Sequence, residues 1–223
     1  MSLIAIVVIV TIYAALLAYY CVLEVQEKFW PATIVKLILS ACAAGLCVYS
    51  AFSLNNYVFY VFALGLVCAI PGDFFLQYIK TDLMKYRIGI SLFGLMHICL
   101  IVSFYLIYFV TIFEFVIFAL LIGIALAFQI IGKWKIGPEK TQLTIYTGVV
   151  VFMVAKAISL SFTIPNPDIY ILMLSLGSLF FFISDLILGI WAYSNEKTVY
   201  LVLNRSTYFV GQLLLAFYLV MQL

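Results

Sequence analysis

The sequence predicts an all-α integral membrane protein folded as a bundle of eight transmembrane helices. Three observations lead to this prediction. Hydrophobic residues make up 68% of the 223 residues, charged residues make up only 9%, and the apolar residues form long runs separated by short polar loops. A soluble domain is about half apolar and about a quarter charged. A water-soluble fold of this length could not bury so much apolar surface, whereas a bilayer solvates it.

The apolar runs have the length of membrane-spanning helices. Such a helix needs about 20 apolar residues, whereas the strands of a membrane barrel are alternating segments about half as long. No polar stretch is long enough to form a soluble domain, so residues 1–223 are predicted to form a single transmembrane domain. The first run is too long for a signal peptide and lacks a basic start, which predicts a retained span. The predicted spans are 2–23, 32–52, 57–79, 88–109, 111–132, 143–162, 168–192 and 207–222.

Basic residues alternate between the loops. Nine of the eleven Lys and Arg residues fall in the first, third, fifth and seventh predicted loops, the last of which contains Lys197 and Arg205. Loops rich in Lys and Arg face the cytoplasm in most membrane proteins. The odd-numbered loops are therefore predicted to be cytoplasmic, with both termini on the non-cytoplasmic side. The regular alternation also supports the count of eight spans, because a missed helix would scramble it.

Spans three and seven share a short pattern. Leu64–Leu76 reads LGLVCAIPGDFFL and Leu176–Leu188 reads LGSLFFFISDLIL, so that Leu, Gly, Asp and Leu coincide at identical spacing. The two spans are four helices apart and run in the same direction. The pattern is compatible with two parallel four-helix halves.

Ionisable side chains inside the spans single out candidate functional residues. Each costs several kcal/mol in hydrocarbon, which makes it a functional hypothesis by default. Glu114 is predicted to be interfacial, and Lys156 is predicted to extend toward the outer surface. The ionisable residues inside spans are Lys36, Asp73, His97, Lys156 and Asp185.

Most of these residues are predicted to gather in one polar layer, about 10 Å below the cytoplasmic helix ends. Two carboxyl groups in a dry pocket cannot both ionise cheaply, and Lys36 favours the charged form of one of them. One protonated and one ionised carboxyl group suit acid–base chemistry on acetal-like bonds. The layer draws on six helices and contains Lys36, Asp73, His97, Tyr146, Asp185, Tyr208 and Gln212.

Other chemistries have little support in the sequence. The chain has a single His, which disfavours the metal hydrolases that use three His ligands. It contains no Gly-rich phosphate loop and no G-x-S-x-G motif. The five cysteines all lie in apolar runs and are interpreted as packing residues. No metal, no cofactor and no nucleic-acid partner is predicted.

Four segments carry a resemblance to the YhhN-like lysoplasmalogenase family. They are the Gly72-Asp73 pair, the FGLMH sequence within GISLFGLMHICLIVSFY, SLFFFISDLILG with its Ser184-Asp185 pair, and STYFVGQLLL with Tyr208 and Gln212. Lys36 falls where the family has a lysine that opens its second span. The chain departs from the family pattern at Leu37, where the family often has Pro, and at Gly94, which follows the Phe of FGLMH. The order and spacing of the segments resemble the family across eight spans.

The resemblance implies hydrolysis of the vinyl ether bond of lysoplasmalogens, which yields a fatty aldehyde and a glycerophospho-alcohol. The implied partners are a lysophospholipid substrate and the bilayer, with the oligomeric state left open. Asp73 and Asp185 are the expected catalytic carboxyl groups. The remaining members of the polar layer are expected to bind the substrate: Lys36 and His97 at the phosphate or beside the carboxyl groups, and Tyr146, Tyr208 and Gln212 at water or the glycerol hydroxyl.

Two other functions are compatible with the same residues. Buried Asp, His and Lys also form proton relays, so a proton-coupled transporter of small molecules is one alternative. The position of the polar layer toward one face rather than the midplane counts against it. A non-catalytic lysolipid-binding protein is the other alternative, and it would keep its function when either Asp became Asn.

Overall fold

A computed structural model describes residues 2–223, and every regular element in this part of the chain is an α-helix. The helices follow one another through short connections, which favours antiparallel packing of sequential neighbours. Their bounds are α1 Leu3–Val25, α2 Phe29–Leu54, α3 Tyr57–Leu76, α4 Leu83–Ile107, α5 Ile112–Ile131, α6 Lys140–Thr163, α7 Ile169–Tyr193 and α8 Thr198–Val220.

Seven helices, α1 to α7, are long and apolar enough to cross a membrane, which supports a multi-pass membrane protein. The prediction of eight such spans is met in part, because α8 is not among the helices that are apolar enough. α8 contains Asn204, Arg205 and Gln212, and all three side chains are buried. It packs against α7, α2 and α1. Its polar residues therefore face other helices, and it needs less apolar surface than a lipid-facing helix.

The predicted helix bounds agree with the structure to within three residues, apart from two helix starts. α4 begins at Leu83 rather than residue 88, and α8 begins at Thr198 rather than residue 207. Asn204 and Arg205 interrupt the apolar run and were assigned to a loop. The structure corrects this for Arg205, which lies inside α8 and is only 5% exposed.

The four loops that were predicted to be basic lie at one end of the bundle, here called the basic end (residues 26–28, 77–82, 132–139 and 194–197). Lys80 Nζ donates to the Ala192 carbonyl at 2.9 Å and lies 2.8 Å from a Glu196 carboxylate oxygen. Arg87 donates to the Pro138 carbonyl at 3.0 Å. The phenyl ring of Phe29 packs edge-on against Tyr78. These contacts join all the odd-numbered loops at one end, whereas the side of the membrane that this end faces stays a prediction.

Two glycines from the shared pattern of spans three and seven lie at close helix contacts. A Cβ on Gly65 would be 3.0 Å from the Met96 carbonyl oxygen, so this glycine lets α3 approach α4. A Cβ on Gly177 would be 3.0 Å from the Gly211 carbonyl oxygen, so it does the same for α7 and α8. Corresponding glycines thus have corresponding roles, as a parallel repeat requires. The two four-helix halves themselves stay a prediction.

Candidate active site

Asp73 lies near the end of α3 and is held by groups from α2. Lys36 Nζ is 3.2 Å from Asp73 Oδ1 and donates to the Asp73 carbonyl oxygen at 3.0 Å. Both side chains are only 1% exposed, so water does not screen the pair. The neighbouring Gly72 packs against the ring of Phe93, which a Cβ would approach to 3.1 Å. A glycine at this position lets α3 lie close to α4.

Two hydroxyl groups complete the contacts of Asp73. Ser40 and Tyr208 both donate to Oδ2, the latter at 2.7 Å. Gln212 in turn donates to the Tyr208 hydroxyl at 3.4 Å. Ser40 was not predicted as a site residue, although it lies four residues after Lys36 and therefore on the same face of α2. Asp73 is thus surrounded by one cation and two hydroxyl donors, an arrangement that suits a carboxylate anion.

Asp185 has a different and simpler environment. Its Oδ2 accepts a hydrogen bond from the Tyr146 hydroxyl at 2.9 Å. The same hydroxyl is 3.5 Å from His97 Nε2, and the imidazole packs edge-on against Phe181. Among the described residues no Lys or Arg forms an ion pair with Asp185. The predicted polar layer therefore divides into two clusters, one around each carboxyl group.

Both carboxyl groups line one cavity of about 90 Å³. At roughly 10–15 Å³ per water, the cavity is large enough for several water molecules. Tyr146 and Tyr208 also line it, so each cluster contributes a tyrosine and a carboxyl group. Lys36, His97 and Gln212 do not line the cavity, although they were predicted to bind substrate. They contact the residues that do.

Several cavity-lining polar groups were not predicted. Arg205, Asn204 and Ser184 line the same cavity. Asn204 donates to the Ser184 carbonyl at 2.9 Å, which fastens α8 to α7 next to Asp185. The signal that could have identified Arg205 was its spacing from Tyr208 and Gln212, which places a cation on the polar face of α8.

The Lys156 and Glu114 side chains form a separate buried pair near the other end of the bundle. Both are completely buried, and Lys156 Nζ is 2.9 Å from Glu114 Oε2. Lys156 also donates to the Phe109 carbonyl and lies over the Tyr105 ring. Lys156 thus extends toward the outer connection between α4 and α5, as predicted, but its charge meets Glu114 inside the protein, and Glu114 is buried rather than exposed at the interface. Sequence alone could not show that the two charges meet.

A comparison with protein-family models decides the identity of the chain. The model of the YhhN family matches residues 29–219, which contain every residue of both clusters. The chain belongs to the YhhN family. No curated protein and no solved structure matches it.

The loop between α5 and α6 lines the cavity in this YhhN family member through Trp134 and Ile136. Trp134 packs so closely on α7 that a Cβ on Gly189 would overlap the indole ring. The loop is held by hydrogen bonds from the Lys135 amide to the Tyr193 carbonyl at 3.0 Å and from the Ser194 hydroxyl to the Gly132 carbonyl at 2.8 Å. Gly189 is therefore the residue that lets Trp134 pack against α7 beside the cavity.

The metal-binding potential of this YhhN family member follows from the same geometry. Within residues 2–223 no three His, Cys, Asp or Glu side chains converge as metal ligands would. The Asp73 cluster instead contains a lysine and hydroxyl donors, and the Asp185 cluster contains tyrosine and histidine. The groups at hand are proton donors and acceptors.

Proposed function

We propose that this YhhN family member is a membrane-embedded hydrolase that cleaves the vinyl ether bond of lysoplasmalogens. The observation that carries the proposal is a pair of carboxyl groups on one cavity with unlike partners: Asp73 beside a lysine and two hydroxyl groups, and Asp185, whose hydrogen-bond partner within residues 2–223 is a tyrosine. Family membership is consistent with this chemistry. Lysophospholipids suit the site because the head group can stay at the basic end while the chain extends between helices.

The first step needs a proton donor. We assign this role to Asp185, because no Lys or Arg of residues 2–223 forms an ion pair with it and it can carry a proton. Asp185 gives its proton to the outer alkene carbon, and the electron pair of the double bond forms the new C–H bond. The carbon next to the ether oxygen becomes positively charged and shares that charge with the oxygen. The Asp73 carboxylate, held as an anion by Lys36, stabilises this oxocarbenium ion.

The second step adds water. A water molecule in the cavity attacks the charged carbon and loses a proton to the Asp185 carboxylate, so a hemiacetal forms and Asp185 regains its proton. The hemiacetal then breaks its bond to the glycerol oxygen. The hydroxyl proton leaves, the glycerol oxygen gains a proton, and the products are a fatty aldehyde and a glycerophospho-alcohol. Tyr146, which binds both Asp185 and His97, orients the proton-accepting oxygen.

We further propose that all eight helices cross the membrane, with the basic end in the cytoplasm and both termini on the other side. The support is the alternation of basic loops and their grouping at one end of the bundle. α8 crosses as a helix shielded by its neighbours.

The test is aldehyde release by detergent-solubilised protein supplied with 1-alkenyl lysophospholipid, beside the 1-acyl analogue. Wild type should release aldehyde from the alkenyl lipid only, whereas Asp73→Asn and Asp185→Asn should lose at least about a hundredfold in rate. Asp168→Asn is the matched control, because this exposed Asp precedes α7 at the end opposite the basic loops. It should retain the wild-type rate.

Each contrary result points elsewhere. Fatty acid from the acyl analogue would indicate an ester hydrolase. Full activity of either Asp73→Asn or Asp185→Asn would contradict the carboxyl mechanism. Absence of any product from folded wild type would favour transport or simple lipid binding, which liposome flux and binding assays would then separate.

A further inference from the structure

Arg205 is a buried cation whose hydrogen-bonding capacity is only partly used. A guanidinium group has five N–H donors. Nη1 donates to the Asn204 side chain at 3.1 Å and Nη2 donates to Gln77 at 3.4 Å. Nε is buried and has no acceptor within residues 2–223. A buried donor without an acceptor raises the free energy of the folded protein, so a bound ligand that accepts this hydrogen bond would be stabilised here.

The charge of Arg205 is also only partly compensated. Within residues 2–223 the carboxylate that lies within 4 Å of the guanidinium is Glu24, whose Oε2 is 3.9 Å from Nη2, beyond hydrogen-bonding distance. Glu24 instead accepts from the Tyr20 hydroxyl at 2.8 Å and from Gln77 at 3.4 Å. Within the described part of the chain, no carboxylate forms a hydrogen bond to this buried guanidinium.

The position of Arg205 on α8 places it between the membrane surface and the carboxyl groups. It follows the helix start at Thr198 by seven residues, about 10 Å along the axis. Tyr208, which binds Asp73, lies about one turn deeper on the same face. Asn204 next to it binds the backbone at Ser184, beside Asp185. Arg205 thus lines the cavity about 5 Å nearer to the basic end than the Asp73 cluster.

From these contacts we infer that Arg205 binds the phosphate group of the substrate, and that Asn204 supports it. This inference rests on the proposed function for the choice of a lysophospholipid. A guanidinium group matches the oxygens of a phosphate in a two-pronged hydrogen bond. The glycerol backbone separates the phosphate from the ether oxygen by about the length of one helical turn. Phosphate on Arg205 would therefore place the vinyl ether beside Asp73 and Asp185.

The inference revises the sequence-based assignment of the phosphate to Lys36 or His97. Lys36 is engaged with both the side chain and the backbone of Asp73 and does not line the cavity. His97 is fully buried among α4, α6 and α7, and it also does not line the cavity. Arg205 is the cation that faces the substrate space.

The test measures binding of the saturated 1-alkyl lysophospholipid, which has no vinyl bond and cannot be hydrolysed, beside 1-alkylglycerol, which has no phosphate. Arg205→Gln should weaken binding of the phospholipid at least about tenfold and leave binding of the alkylglycerol unchanged. Arg205→Lys should recover part of the loss in binding, because it restores the positive charge but cannot form the two-pronged hydrogen bond of a guanidinium group. Inorganic phosphate at millimolar concentration should not displace the lipid.

Glu24→Gln is the matched control, since it removes the anion near Arg205 and keeps the cation. It should bind the phospholipid as tightly as wild type or more tightly. Equal losses for both lipids in Arg205→Gln, or an equal loss in Glu24→Gln, would mean that Arg205 only holds the helices together, and would overturn the inference. Displacement of the lipid by inorganic phosphate would assign the site to free phosphate instead.

The binding assay also separates this inference from the proposed function. Arg205-dependent binding of the alkyl lipid without aldehyde release from the alkenyl lipid would overturn the hydrolase proposal and leave the phosphate site intact. Aldehyde release from the alkenyl lipid, together with phospholipid binding that is unchanged in Arg205→Gln, would support the hydrolase proposal and overturn the phosphate site at Arg205.

Discussion

Asp73 and Asp185 are the same side chain in two different environments. Asp73 contacts a buried lysine and two hydroxyl groups, whereas Asp185 contacts one tyrosine and the cavity. Enzymes that run acid and base chemistry together separate two carboxyl groups in this way. The roles proposed for the two residues follow from their partners, since their positions in the two helices are alike.

The hydrogen bond from Tyr208 to Asp73 gives a prediction at the residue scale. Tyr208→Phe removes a donor at 2.7 Å from the carboxylate that stabilises the oxocarbenium ion. A hydrogen bond to a charged group contributes about 1.5–3 kcal/mol, so the rate of aldehyde release should fall about 10- to 100-fold. Tyr218→Phe is the control, because this buried tyrosine binds Tyr108 near the opposite end. Equal losses in both variants would contradict a specific role for Tyr208.

At the scale of elements, glycine contacts decide how closely helices pack. A Cβ at Gly177 would meet the Gly211 carbonyl oxygen and the Leu215 amide nitrogen, each at 3.0 Å. Both atoms belong to the backbone of α8 and cannot rotate away. The pair α7–α8 carries Asp185 on one helix and Arg205, Tyr208 and Gln212 on the other, so its spacing sets the width of the cavity.

Gly177→Ala is therefore expected to separate α7 from α8. It should destabilise the protein by about 1–3 kcal/mol, as small-to-large changes in packed cores do, and lower activity. Gly148→Ala is the matched control, since nothing lies within 4 Å of its added Cβ, and its stability should be close to wild type. Unfolding in mixed micelles with increasing SDS, followed by circular dichroism, measures both. A Gly177→Ala variant as stable as wild type would contradict the close contact.

The buried pair Lys156–Glu114 joins α5 to α6, and α5 packs mainly against α6. Lys156→Met leaves the Glu114 carboxylate buried without its cation and should cost about 3–5 kcal/mol. Removing both charges, as Glu114→Leu with Lys156→Met, should recover most of that loss. Lys80→Met, which breaks the exposed pair with Glu196, should cost less than about 1 kcal/mol. The same SDS titration measures the stability of all these variants. A double variant that is less stable than Lys156→Met would contradict the argument that the two charges stabilise each other.

At the scale of the whole molecule, the two ends of the bundle differ. Trp134 lines the cavity from the loop at the basic end, and Arg205, Asp73 and Asp185 line it from the helices. The opposite end holds the Lys156–Glu114 pair and a tyrosine cluster around Tyr218. A lysolipid with its head group at the basic end would therefore enter from the leaflet that this end faces.

The orientation of the bundle can be tested with fusions after Leu223. If the basic loops are cytoplasmic, alkaline phosphatase fused at the C terminus should be active in bacterial cells, and green fluorescent protein fused there should be dark. Moving the same reporters into the loop at 132–139 should reverse both signals. A fluorescent C-terminal fusion would place the C terminus in the cytoplasm and contradict the orientation, or would show that α8 does not cross.

The sequence by itself determined the membrane class, seven apolar helices with most of their bounds, and the residues of the two clusters apart from Ser40. It could do so because lipid imposes a condition on each helix separately. The helix needs about 20 apolar residues to span the bilayer, and ionisable residues inside that span are costly and therefore mark functional positions. The true start of α8 violated that condition, since its polar residues face neighbouring helices rather than lipid.

Only the tertiary structure decided which charges meet. It brought Lys36 to Asp73, Tyr146 to Asp185, and Lys156 to Glu114, and it placed Arg205 on the cavity in place of Lys36 and His97. Hydropathy and spacing give the depth and face of a residue on its own helix. The partner of a buried charge depends on how that helix is rotated against its neighbours, and this rotation is set by contacts between residues far apart in the chain, such as Gly177 with Gly211.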